Sequence, residues 1–101
     1  MNPFGISDRS YNIILELVRE YAAIENVLVY GSRAKGNQRS GSDIDLALVG
    51  NDLSPKIALE IAAILNEKLP IPYHVDVLHY DSITNPELKN HIDRVGKSFF
   101  E

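Results

Sequence analysis

Cysteine is absent from the 101 residues. Disulfides, thiolate zinc sites, iron–sulfur clusters and a cysteine nucleophile are excluded together. No apolar run approaches the roughly 20 residues of a membrane-spanning helix. Met1-Asn2-Pro3-Phe4-Gly5 lacks the basic and apolar regions of a signal peptide, so the expected location is the cytoplasm, away from any membrane. Positive charge is scarce: 10 Lys and Arg stand against 14 Asp and Glu, a net charge of -4. A surface that holds nucleic acid unaided carries a basic footprint, so direct nucleic-acid binding is not expected. Repeats and low-complexity segments are also missing. What remains is 45% hydrophobic and 24% charged, too apolar for disorder. The length suits one domain over 1–101, with enough chain for one small core.

The pattern of apolar residues predicts six main elements. Ser7 is a good N-cap, and Tyr11, Ile14, Leu15, Val18 and Ala22 recur at helical spacing, predicting a helix over 8–23. Asn26–Tyr30 reads as a short buried strand ending at Gly31, residues 31–42 as a loop, and Asp43–Val49 as a second strand. Ser54 and Pro55 open a second helix with the stripe Ile57, Ile61, Ile64 and Leu65, which Pro70 and Pro72 keep from continuing. Tyr73–Tyr80 is a third strand. Asn85-Pro86 starts a third helix bearing Leu88, Ile92 and Val95, ended by Gly96, and Phe99 and Phe100 close the core as a short last strand. The expected fold class is α/β (α+β): a small mixed sheet with helices packed on one face, the other face largely open.

Side chains at i and i+2 on a strand project from one face, roughly 6.5–7 Å apart. Asp43 and Asp45 therefore share a face, while Ile44, Leu46 and Leu48 point into the core. Two like charges this close repel and raise each other's pKa. A hard cation such as Mg²⁺ resolves the conflict through carboxylate oxygens. Aspartate is depleted in strands, so two within three residues call for a reason beyond decorating a wet surface. On the third strand Val75 and Val77 face the core and Asp76 faces away. If the two strands are neighbours, three carboxylates meet. Such a trio can hold two metals ~3.5–4 Å apart, as in-line phosphoryl transfer uses.

The preceding loop, Gly31-Ser32-Arg33-Ala34-Lys35-Gly36-Asn37-Gln38-Arg39-Ser40-Gly41-Ser42, is rich in glycine and base. Its amides can approach a phosphate closely, and Arg33, Lys35 and Arg39 are candidate phosphate partners. Gly31 and Gly36 have P-loop spacing, but Asn37-Gln38 stands where Lys-Ser/Thr is required, so a P-loop is excluded. No Gly-x-Gly-x-x-Gly occurs, and Leu46 and Leu48 interrupt any EF-hand pattern.

Gly31-Ser32, ten residues, Asp43-x-Asp45 and a strand-borne Asp76 together resemble the polymerase beta nucleotidyltransferase superfamily. Within it, Gly-Ser-Arg-Ala-x-Gly and Ser42-Asp43-Ile44-Asp45-Leu46 in so short a chain are similar to the minimal nucleotidyltransferase (MNT) proteins. The resemblance implies Mg²⁺-dependent transfer of a nucleoside monophosphate from an NTP, with release of pyrophosphate. It implies that Asp43 and Asp45 bind two Mg²⁺ ions, and that Asp76 binds the catalytic one and helps deprotonate the acceptor. Gly31 and Ser32 would hold the triphosphate, with Arg33 and Ser42 as further nucleotide-binding candidates. MNT proteins resemble antitoxins paired with HEPN-domain RNases. The implied reaction is then AMP transfer from ATP to a tyrosine of the HEPN-type toxin, with a hetero-oligomer as the working assembly. The elements above leave no chain for an acceptor-holding domain, which also points to a second protein. Two alternatives stay open: a catalytic subunit acting on a small acceptor such as an aminoglycoside, and a non-catalytic antitoxin that neutralises by binding. His74 shares the face of Asp76 but reads as a surface histidine, His79 and His91 lack ligand spacing, and Tyr30 is expected to pack beneath the loop.

Overall fold

A computed structural model describes residues 2–100. The elements are α1 (Asp8–Arg19), β1 (Asn26–Tyr30), α2 (Ser32–Lys35), β2 (Ile44–Val49), α3 (Pro55–Glu67), β3 (Val75–His79), α4 (Pro86–Val95) and β4 (Lys97–Ser98), with a 3₁₀ turn at Tyr80–Ser82 before α4. The sheet order is β3-β2-β1-β4. β1 runs antiparallel to both β2 and β4. β2 and β3 are parallel, joined through α3, because parallel neighbours need a long crossover.

The caps follow the sequence closely. The Ser7 hydroxyl accepts from the Ser10 N–H at 3.2 Å. Asn85 accepts from Glu87 and Leu88 N–H groups, with Pro86 in the first turn. Ser54 occupies the N-cap position of α3 but makes no side-chain capping bond. Gly96 ends α4 with ordinary negative φ; glycine is needed there because a Cβ would overlap the Ile92 carbonyl. α1 stops at Arg19, four residues short of the predicted end. The chain tightens into short-range bonds, Tyr21 N–H to the Val18 carbonyl and Ile24 N–H to the Tyr21 carbonyl, so that Ile24 is buried and Ala22 is left exposed.

The main core lies between one sheet face and helices α1 and α3. Val27, Val29, Ile44, Leu46, Leu48 and Val75 meet Ile14, Val18, Ile61 and Leu65 there. Phe99 enters the same core, stacked on Phe4 at 5.9 Å and on Tyr11 at 4.4 Å between ring centroids. The last strand falls at Lys97–Ser98, just before the two phenylalanines, and the Phe99 N–H adds one more bond to the Val27 carbonyl.

The opposite face is less open than the sequence suggested. α4 lies across it, and Ile92 forms a second cluster with Tyr30 and Ala47, flanked by Leu28, Leu78 and Leu88. Leu28, Ala47 and Leu78 form one cross-strand row on this face, and Tyr30, Asp45 and Asp76 form the next. The first row packs under α4; the second carries the polar groups at the end of the sheet. Among the described residues no helix is long and apolar enough to cross a membrane.

Candidate active site

Strand register builds the centre of the site. Asp45 stands opposite Asp76 across the parallel β2–β3 pair and opposite Tyr30 across the antiparallel β1–β2 pair. The condition set by the sequence is met, since β2 and β3 are neighbours and two of the expected carboxylates are cross-strand partners. Asp43 lies one residue before β2 and is exposed. Burial, first, and then the Asp76 charge, a hydrogen bond with Asp76 and the Asp43 charge push Asp45 up to about 6, against a smaller pull downward from Arg33. The face therefore holds more negative charge than its own positive groups balance.

Asp76 has its own partner. His74, two residues earlier on the same face, places Nε2 3.0 Å from Asp76 Oδ1. Tyr30 does not pack beneath the loop. It sits in the α4 cluster, its ring edge-on to His91 at 6.2 Å, and burial, then the Asp45 and Asp76 charges, raise its phenol above the ordinary range. Strict alternation along β1 was the signal for this, since Tyr30 must face opposite to Val29.

Gly31 joins β1 to α2 at φ 72° and ψ -153°, a conformation that L side chains avoid. A Cβ there would overlap Asp45 Oδ2. Glycine thus does two things: it makes the turn and makes room for the Asp45 carboxylate to lie against it. Part of the predicted loop is helical. Ser32–Lys35 forms the single turn α2, closed by Gly36 in the left-handed conformation, with Ser32 half-buried at its start. Four residues between glycines carry no readable helical period.

Two of the residues expected at the nucleotide, Arg33 and Ser42, are engaged within the fold. Arg33 is only 2% exposed. Its guanidinium donates to the Ser42 carbonyl from Nε and Nη2 and to the Phe4 and Gly5 carbonyls from Nη1, and lies 4.8 Å from the Tyr73 ring centroid. In this structure its hydrogen bonds are all made to backbone carbonyls within the fold. Ser42 is tied into the fold: its carbonyl takes the arginine, its hydroxyl accepts from the Arg39 N–H at 2.9 Å, and its own N–H donates to the Arg39 carbonyl. Lys35 and Arg39 remain exposed.

Among the described residues no three His, Asp or Glu side chains already converge as a metal cage. The donor chemistry nevertheless suits a hard divalent cation: three carboxylates near one strand end, one raised to about 6 by burial and by its acidic neighbours, and a glycine turn that lets this carboxylate lie close to the backbone.

The sequence model of the family described as "Polymerase beta, Nucleotidyltransferase" matches residues 12–101. No curated protein matches the chain. Among solved structures, the chain is similar to one in a toxin–antitoxin complex with AMP-PNP, at 27% identity and TM-score 0.71, over 89% of this chain and 72% of that one. It also shares its fold with a chain of the toxin–antitoxin complex MntA–HepT, at 23% identity and TM-score 0.68, over 93% and 72%. A third fold match lies in the complex of the tri-AMPylated Shewanella oneidensis HEPN toxin with MNT antitoxin, at 23% identity and TM-score 0.67, over 91% and 70%.

Proposed function

The chain belongs to the polymerase beta nucleotidyltransferase family, and from that premise we propose that it moves AMP from ATP to a tyrosine of a HEPN-type toxin and thereby silences it. The observation that carries the reading is the cross-strand Asp45–Asp76 pair beside the side-chain-free turn at Gly31. The similar structures that hold AMP-PNP and an AMPylated HEPN toxin support the nucleotide and the partner. Residues 1–101 act as a single minimal nucleotidyltransferase domain.

In this reading Asp43, Asp45 and Asp76 would hold two Mg²⁺ ions. Mg²⁺ so held supplies positive charge to the triphosphate and lowers the pKa of an attacking hydroxyl. The Gly31–Ser32 backbone approaches the triphosphate, and Gly31 keeps that approach clear. The acceptor oxygen bonds to the α-phosphorus as the bond to the departing pyrophosphate breaks. The hydroxyl proton passes to Asp76, which His74 orients through Nε2. A cation held there would favour an ionised Asp45, which by itself holds its proton more firmly than an ordinary aspartate.

The test is transfer of label from α-labelled ATP, in the presence of Mg²⁺, to a co-encoded HEPN-type protein. Label on a partner tyrosine is expected, and label absent when Asp45→Asn replaces the wild type. Label moving to a small acceptor while the partner stays clean would replace this reading with the small-molecule transferase.

A further inference from the structure

We propose that Arg33 is a positioning residue: gripping the N-terminal turn at Asn2–Ile6, it fixes where the Gly31–Ser42 loop stands relative to Asp43 and Asp45. The inference rests on the nucleotidyltransferase reading, because the loop and the carboxylates are the parts whose spacing it sets.

Burying a guanidinium is costly unless its N–H groups are satisfied. Here four hydrogen bonds, of 2.7–3.1 Å, all end on backbone carbonyls. Those carbonyls belong to two distant segments. Phe4 and Gly5 lie on one side; Ser42, the residue before Asp43, lies on the other. A planar fork can span both, whereas a lysine ammonium is a single point.

The turn it grips is itself rigid. Asn2 Oδ1 accepts from the Phe4 N–H at 3.0 Å and the Ile6 N–H at 3.2 Å, and its Nδ2 donates to the Ile6 carbonyl at 2.6 Å. The Phe4 ring is anchored in the core against Phe99. Gly5 has φ +69°, and a Cβ there would overlap Gln38 Nε2, so the turn lies directly against the loop. Tyr73, beneath the guanidinium, accepts from the Ser7 N–H at 3.3 Å, tying the same point to the start of α1. Arg33 and Ser42, the first and last of the ten residues between Ser32 and Asp43, are thus tied to each other and to the N-terminal turn, where the span would otherwise leave the spacing free. Transfer chemistry is sensitive to displacements of about 1 Å.

Two full-length variants test it, Arg33→Lys and Asn2→Ala, each checked for folding by circular dichroism. Asn2 is remote in sequence from the loop and from all three aspartates. The readouts are KM and kcat for MgATP with the HEPN-type partner, MgATP binding by calorimetry, and amide hydrogen exchange across 31–42. We expect Arg33→Lys to raise KM on the order of tenfold, Asn2→Ala to raise it in the same direction by less, and both to speed exchange across 31–42. A folded Arg33→Lys with wild-type KM and wild-type exchange overturns the proposal. If Arg33→Lys does not fold, Asn2→Ala decides alone, and unchanged KM and exchange overturn it. Failure of the wild type to bind MgATP sinks the nucleotidyltransferase reading instead; the exchange rates then still decide whether Arg33 fastens the loop.

Discussion

Asp45 carries a conflict of charge and burial that a bound cation would relieve. Its folded-state pKa, about 6, lies above the ordinary 3.8, so the folded protein holds its proton more tightly than the unfolded chain does. The stabilisation from that proton is complete below pH 3.8 and is lost as pH rises through about 6. Asp76 and Asp43 oppose ionisation, Arg33 favours it, and Tyr30 across the strand is neutral throughout this range. The expected outcome is that metal-free Asp45→Asn melts close to wild type near pH 4 and above it at pH 7. Melting curves across that range check it, and a constant difference at every pH would contradict it. In transfer, Asp43→Asn and Asp45→Asn are each expected to lose on the order of 10²–10³-fold, the scale of removing one fixed charge-stabilising group. Asp76→Asn should lose as much in kcat yet keep most of the MgATP affinity, since Asp43 and Asp45 still face the triphosphate. Calorimetry separates the two patterns; equal loss of binding in all three would refute the division of roles. The shared face of Asp45 and Asp76 was legible because alternation on β2 and β3 put both opposite the core. The burial of Arg33 was not, because a basic residue in a glycine-rich loop has no sequence mark that distinguishes an inward side chain from an outward one.

The strands and helices were legible wherever one period ran uninterrupted. β1 spans its predicted residues, β2 kept its predicted apolar parity, and α3 and α4 began at their Ser-Pro and Asn-Pro signals. α1 overran in prediction because Tyr21 to Ala23 suit a helix locally, while burial of Ile24 turns the chain first. The side of the sheet that α4 covers was not legible, since an amphipathic stripe says that a helix packs but not against which face. Two outcomes belong to this scale. Asn85→Ala removes an acceptor for two N–H groups of α4 and should cost about 1 kcal/mol in denaturant unfolding. Gly31→Ala forces a side chain into a conformation it avoids, at about 1–3 kcal/mol, and pushes on Asp45. It should therefore lose MgATP binding at temperatures where it is still folded. Intact binding by a folded Gly31→Ala would show that the turn does not shape the site.

Across the whole molecule, two layers divide the work. α1 and α3 close the main core on one face, and α4 covers part of the other, where Tyr30 is buried in its cluster while Asp45 is half-buried and Asp76 exposed. A ligand that binds only the folded state raises its melting temperature. Mg²⁺ and ATP together should therefore raise the melting temperature of the isolated chain, and Asp43→Asn should lose that rise. The most direct measurement of the central claim is the intact mass of a HEPN-type partner after incubation with this chain, ATP and Mg²⁺. The expected result is a gain of one or more AMP groups, mapped by peptide sequencing to tyrosine and absent with Asp45→Asn. A partner of unchanged mass, inactivated by the wild type and by Asp45→Asn alike, would contradict it.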